Sequence, residues 1–256
     1  MKSMSKTRII ACANHKGGVG KTATVANLGS ILSTRGYKVL VIDLDAQSNL
    51  TTSLVGEVEG DGIYESLCGA TDHLPVIEVN DNLYLVPASL SLAMADIGLG
   101  RAIARESLLK DALEPEKDNY DYILLDCPPS LGLITLNAFT ACTDIIIPLV
   151  CEVLPFKGLT MINDFIKMVR TRLNKNAHVS GIIITKWEGS NLSRNIEEGL
   201  RKSVGDSVFS TKIRKNIRIA EAPVEKKSIV DYDPKSNGAK DYLTLADEFI
   251  TRFENQ

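Results

Sequence analysis

The segment His15-Lys16-Gly17-Gly18-Val19-Gly20-Lys21-Thr22 carries the chain's most specific chemistry. Its three glycines leave backbone N–H groups free to wrap a phosphate chain, and a lysine directly precedes a hydroxyl residue. Upstream, Ile9–Ala13 reads as a buried strand, and downstream Lys21–Thr34 reads as a helix. A strand, a glycine loop and a helix start together make a phosphate cradle, because backbone donors and the helix dipole both favour negative charge there. The spacing predicts that Lys21 reaches the β- and γ-phosphates of a nucleotide and that Thr22 holds magnesium. Gly17, Gly18, Val19, Gly20 and Ala23 complete the expected phosphate wall.

The loop departs from the ordinary G-x-x-x-x-G-K-[ST] pattern. His15 stands where the first glycine belongs, and a second lysine, Lys16, lies at the loop entrance. One lysine suffices for a phosphate. A second suggests an extra cation for the γ-phosphate, with a neighbouring subunit as one destination; a solvated loop position is the plain alternative.

Two further hydrophobic strands end in acids: Val41-Ile42-Asp43-Leu44-Asp45 and Ile123-Leu124-Leu125-Asp126. Ligands of open α/β sheets collect at the carboxyl ends of strands. Asp126 is expected to hold magnesium through water. Asp43 and Asp45, two apart in a strand, are expected to face one side. Asp45 sits further out, so it is the candidate to position an attacking water beside the metal. An aspartate at a strand end more commonly caps a helix or a turn, but three of them beside a phosphate loop weaken that reading.

These residues need a scaffold, and the hydrophobic pattern supplies one. Near-continuous apolar runs at Ile9–Ala13, Val39–Leu44, Leu83–Pro87, Tyr122–Asp126, Asp144–Val150, His178–Thr185 and Val208–Ile213 read as strands buried on both faces. Helical stretches alternate with them at Lys21–Thr34, Arg101–Leu113, Leu133–Ala141, Lys157–Leu173, Leu192–Val204 and Asn237–Arg252. The expected fold is a single doubly wound, mostly parallel α/β domain over 8–256 with helices on both faces, after a flexible tail at 1–7. The turn-rich stretch Gly56–Asp81 reads as a peripheral excursion.

Composition sets limits. The chain has 256 residues, 44% hydrophobic and 24% charged, with a formal net charge of −3. That excludes a global attraction to nucleic acid and leaves room for a local basic patch. Lys212, Arg214, Lys215, Arg218, Lys226 and Lys227 form such a run against only Glu221 and Glu225. No apolar run is long enough to span a bilayer. The five cysteines show no C-x-x-C spacing, so a reducing, cytoplasmic setting is the default.

Taken together, Lys16–Thr22, Asp43-Leu-Asp-Ala-Gln47, Tyr120–Gly132, Asn216-Ile-Arg-Ile-Ala-Glu-Ala-Pro223 and Tyr232–Ala239 make the chain resemble the ParA/Soj group of partition ATPases, within the MinD/ParA class of P-loop proteins. The resemblance spans nearly the whole chain. It implies an ATP-sandwich homodimer binding ATP/ADP and Mg2+, in which Lys16 crosses to the partner's phosphates. It also implies non-specific binding to double-stranded DNA, a ParB-like partner that stimulates slow hydrolysis, and a place on the nucleoid. By the same resemblance Asp45 positions water, Asp126 is the Walker B aspartate, Lys186 and Pro223 lie near adenine, and Arg218 contacts DNA. Lys215 and Lys212 are expected beside Arg218. Arg194 is the candidate to replace an arginine that relatives carry near Ser190.

Departures are Ala46, where most relatives have proline, and the divergent segment 151–158. A MinD-like ATPase, cycling on a membrane or positioning a non-DNA cargo, is the main alternative. The membrane version would need a terminal amphipathic helix with a basic face; the last helix carries Asp241, Asp247, Glu248 and Glu254, and no stable membrane binding is expected. An iron–sulfur relative would need paired cluster cysteines, and Cys127 has no second cysteine in suitable context.

Overall fold

A computed structural model describes residues 6–152 and 155–254, with side chains considered for all of these except 155–157. Eight strands form one sheet: β1 (Arg8–Cys12), β2 (Val39–Asp43), β3 (Ile77–Asn80), β4 (Leu83–Val86), β5 (Tyr122–Asp126), β6 (Asp144–Val150), β7 (Val179–Trp187) and β8 (Val208–Arg214). Their order is β3-β4-β2-β5-β1-β6-β7-β8, and every neighbouring pair is parallel except β3 against β4. The helices of the described residues are α1 (Lys21–Thr34), α2 (Asn49–Leu54), α3 (Ile63–Leu67), α4 (Ala95–Gly98), α5 (Leu108–Leu113), α6 (Leu133–Ala141), α7 (Pro155–Arg172), α8 (Asn191–Val204), α9 (Ile217–Glu221), α10 (Ile229–Tyr232) and α11 (Asn237–Glu254).

Alternation along each strand divides the core between the two faces of the sheet. Ile9, Ala11, Leu40, Ile42, Ile123 and Leu125 join a cluster with residues of α5, α6 and α7. Ile10, Cys12, Val39, Val41 and Leu124 join another with Leu28 and Leu32 of α1 and Leu245 and Phe249 of α11. Burial on both faces explains why these strands carry no polar alternation.

The expected α/β sheet and its seven strands are present, with no strand end displaced by more than two residues. The antiparallel edge strand β3 was not expected. It lies in the stretch read as an excursion, and its alternating half-buried and exposed residues lack a continuous apolar run. The expected helix Arg101–Leu113 is reduced to α5, because Ala104 takes a left-handed φ of 50° that ends any helix through it. Of the expected tail, residues 1–5 lie outside the described residues. Thr7 is already packed, its hydroxyl donating to the carbonyls of Lys117 (2.9 Å) and Tyr120 (2.8 Å).

Helix α11 lies on the sheet and buries Tyr242, Leu245, Phe249 and Phe253. Its acids also finish the edge strand. Glu248 accepts the backbone N–H groups of Ser210 (2.7 Å) and Thr211 (2.8 Å) in β8. Asp241 accepts the Arg214 N–H (2.9 Å) and its guanidinium (2.6 Å). The terminal helix is therefore part of the domain rather than an amphipathic face turned outward.

Candidate functional site

The phosphate loop is built by two glycines in left-handed conformations, Gly18 (φ 71°) and Gly20 (φ 89°), the second standing directly before α1. A side chain at either position would be strained. No side chain caps this helix end, so its first N–H groups face the loop concavity. Neighbouring strands hold the loop from outside. The Thr185 hydroxyl donates to the Val19 carbonyl (2.8 Å), and the Asn14 amide donates to Pro148 O (2.7 Å) while accepting the Lys16 N–H (3.0 Å).

His15, the departure from the usual glycine, has a structural partner. A Cβ on Gly158 of α7 would lie 2.2 Å from the imidazole Cε1, so the missing side chain of Gly158 makes room for the ring. The histidine wedges the loop against α7 and stays clear of the cavity lining.

The loop opens into a cavity of about 800 Å³. Gly17, Gly18, Gly20, Lys21, Thr22 and Ala23 form its phosphate-binding wall, and Asp45 and Lys186 line it too. Ile217, Ile219 and Pro223 add apolar surface suited to a flat base. Of these, sequence reasoning picked out Pro223 alone; the isoleucines sit in the quoted Asn216–Pro223 stretch, where alternation was the available signal. Val19 is buried behind the loop. Lys16 lines no part of this cavity: its ammonium pairs with Glu152, and both side chains are about half exposed. Most of the divergent segment 151–158 beyond that glutamate lies outside the residues whose side chains are described.

The three aspartates separate into different roles. Strand β2 ends at Asp43 and the chain turns, so Asp43 and Asp45 do not share a strand face as expected. Asp43 is fully buried and accepts the N–H and hydroxyl of Thr51, both at 2.8 Å, together with the Asp45 N–H (3.2 Å). It pins the turn and α2. Burial raises its pKa to about 6 despite those donors. Asp45 emerges half-buried at the cavity, with one oxygen accepting the Gln47 N–H (3.0 Å). Asp126 lies beside Asp43 across the β2/β5 pairing and is 1% exposed.

Neither carboxylate oxygen of Asp126 has a hydrogen-bond partner among the described residues. Burial, then the Asp43 charge, lifts its pKa to about 8, against the pull of the Thr22 hydroxyl and the Lys21 ammonium. A buried carboxylate without a partner is costly and rare in a folded protein. Its oxygens and the Thr22 hydroxyl are hard donors of the kind magnesium takes, directly or through water, so the residues fit that ion.

The basic run behaves differently. Lys212 pairs with Glu197 (3.0 Å) and its ammonium sits 4.3 Å from the centre of the Trp187 ring. Lys215 pairs with Glu188 (2.6 Å), Arg218 with Glu221 (2.8 Å), and Arg214 with Asp241 (2.6 Å). Lys227 lines the nucleotide cavity. The run is therefore no bare cationic stripe, and Lys212, grouped with the DNA residues by sequence, is held by a carboxylate and an aromatic face. Lys215 and Arg218 remain more than half exposed, and Arg194 is exposed on α8.

Among the described residues no helix is long and apolar enough to cross a membrane. Cys12, Cys127, Cys142 and Cys151 are buried thiols.

A family model described as an AAA domain matches residues 7–179. The chain is 42% identical over 247 residues to the sporulation initiation inhibitor protein Soj of Bacillus subtilis, covering 94% of this chain and 97% of that protein. It is 38% identical to the chromosome partitioning protein ParA of Caulobacter vibrioides, covering 98% and 96%. Among solved structures, cobyrinic acid a,c-diamide synthase of Mycobacterium smegmatis, with bound ADP and magnesium, superposes with a TM-score of 0.84 at 32% identity, over 97% of this chain and 96% of that one.

Proposed function

Because this chain belongs to the ParA/Soj family of partition ATPases, we propose that it is a nucleotide-switched dimer that segregates or positions plasmid or chromosomal cargo. ATP joins two copies, the dimer binds double-stranded DNA without sequence preference, and a ParB-like partner stimulates slow hydrolysis that releases it. Residues 8–256 act as one unit in the cytoplasm, on the nucleoid. One observation carries the reading: the signature Lys16 stands outside its own chain's cavity, paired on the surface with Glu152. Gly17 faces open space within the chain, leaving room for a second copy.

The residues then divide the work. The loop N–H groups and Lys21 bind the β- and γ-phosphates of ATP, Asp45 orients the attacking water, and the partner's copy of Lys16 neutralises charge developing on the γ-phosphate. Magnesium, when bound, is held by Thr22 and by Asp126 through water and offsets phosphate charge. Arg218 and Lys215 provide the DNA contacts, with Arg194 added from α8. Duplicating this surface in a dimer raises DNA affinity without reshaping either copy.

The test is light scattering of an Asp45→Ala variant with ATP and with ADP. Doubling of the mass with ATP alone is expected; equal mass with both nucleotides refutes the switch. Gly17→Val sharpens the result. A Cβ there meets nothing within the chain, so the variant is expected to bind ATP and remain a monomer. At Gly18 a valine would strain the loop itself.

A further inference from the structure

The resemblance implies that Lys186 lies near adenine; in the structure its ammonium lies over the phosphate loop. Lys186 is the penultimate residue of β7 and adopts φ 49°, the left-handed region that non-glycine residues seldom occupy. Thr185, just before it, is buried and fixed by its hydroxyl to the Val19 and Leu149 carbonyls (2.8 and 3.3 Å). From this anchored point the Lys186 side chain extends over the phosphate loop. Its Nζ lies 4.0 Å from where a Cβ on Gly18 would be. Among the described residues it makes no ion pair, whereas Lys16, at the same loop, is taken by Glu152. The Lys186 charge is felt nearby, helping Lys16 to depress the Glu152 pKa. Apolar surface for a base comes instead from Ile217, Ile219 and Pro223.

We propose that Lys186 is a phosphate-reading lysine acting within its own chain, one that favours a nucleoside triphosphate over a diphosphate. The inference rests on the nucleotide reading above. A lysine is a compact charge on a flexible stem, and it gains most from the ligand with the extra phosphate charge. Lys186 would therefore bias the switch toward ATP before a second copy arrives.

The test is calorimetric titration of the full chain with MgADP and with magnesium AMPPNP, a non-hydrolysable ATP analogue. Three variants are compared: Lys186→Met, Lys186→Gly and Lys186→Arg. Methionine keeps the backbone demand and removes the charge, glycine relieves the left-handed φ and removes the charge, and arginine keeps the charge. The expected result is an about tenfold loss of AMPPNP affinity in both Met and Gly variants, with ADP changed less than about threefold and the Arg variant near the parent. Equal losses for the two nucleotides overturn the proposal. If such a loss comes with a changed preference for AMPPNP over its guanine counterpart, it returns Lys186 to the base. Retained AMPPNP affinity in the Gly variant also overturns it, showing that only the turn matters. A parent chain that binds neither nucleotide removes the nucleotide reading as well; a parent that binds both, with variants that match it, removes only the role of Lys186.

Discussion

The nucleotide cavity and the basic run of β8 and α9 handle charge in opposite ways. Lys21, on the cavity wall, is 7% exposed, and Asp126 behind that wall is buried without a hydrogen-bond partner among the described residues, so charge that water would welcome is held out of water. On the basic run the charges are more exposed and matched, each of Lys212, Arg214, Lys215 and Arg218 pairing with at least one carboxylate. Exposed pairs of that kind contribute little to stability and exchange partners readily. The first region suits one ligand of set geometry; on the proposed reading, the second would serve a polyanion that displaces these side-chain carboxylates. A count of charges along the chain does not distinguish them; burial and pairing do.

The largest effect is expected from Lys21→Ala, which removes the cavity's buried cation and is expected to weaken ATP binding roughly 100-fold in calorimetry, since charge-assisted phosphate contacts in a water-poor site are strong. Affinity within a factor of three of the parent would break the contrast at its strongest point.

Next is Lys16→Gln. Bound ATP is expected to survive within a few-fold because Lys16 lies outside the cavity, while stimulated turnover falls by about 100-fold. A parallel loss of binding would move Lys16 into its own chain's site.

On the basic run, Arg218→Glu is expected to abolish the mobility shift of duplex DNA at modest salt while ATP-dependent dimers persist. Lys212→Gln is expected to leave the shift nearly intact, because its ammonium is held by both Glu197 and the Trp187 ring and its side chain is 31% exposed, against 51% for Arg218. Each DNA phosphate that a variant no longer neutralises lowers the salt slope by about 0.9. Equal effects from the two substitutions would show that the surface pairing does not mask Lys212.

The smallest effect concerns Asp126→Asn in the nucleotide-free protein. The folded pKa is raised to about 8, so the folded state holds this proton more tightly than the unfolded one. The associated stability is complete below pH 4 and is lost as pH rises toward 8. Asparagine does not ionise, so the variant is expected to match the parent near pH 4.5 and to melt about 5 °C higher at pH 8. A Tm difference that stays flat with pH would show that the carboxylate is not under this strain.

Much of the site was legible because its chemistry is local. The glycine loop, Thr22 and the acid ending β5 are read from short spacings, and β1, β2, β5 and β6 from continuous apolar runs. What escaped depends on contacts remote in sequence. The wedge of His15 against Gly158, the pairing of Lys16 with Glu152 and the bond of Thr185 to the loop each join segments more than a hundred residues apart. Asp43 was misread because an alternation rule assumes that the strand continues, and β2 stops there. The short helices α2, α3, α4, α9 and α10 are too brief to show a helical period, and the tertiary packing around them decides their form.

The carboxylates of α11 on β8 have a consequence for how copies of this protein meet. An outer strand with free N–H groups is a template on which another chain's strand can add, the route to fibrils and disordered precipitates. Glu248 occupies the Ser210 and Thr211 donors, and Asp241 occupies that of Arg214. This rim of the sheet is thus sealed by the chain's own last helix. Crowded copies are denied lateral growth there, and on the proposed reading their association would be left to a face that fuel can open and close.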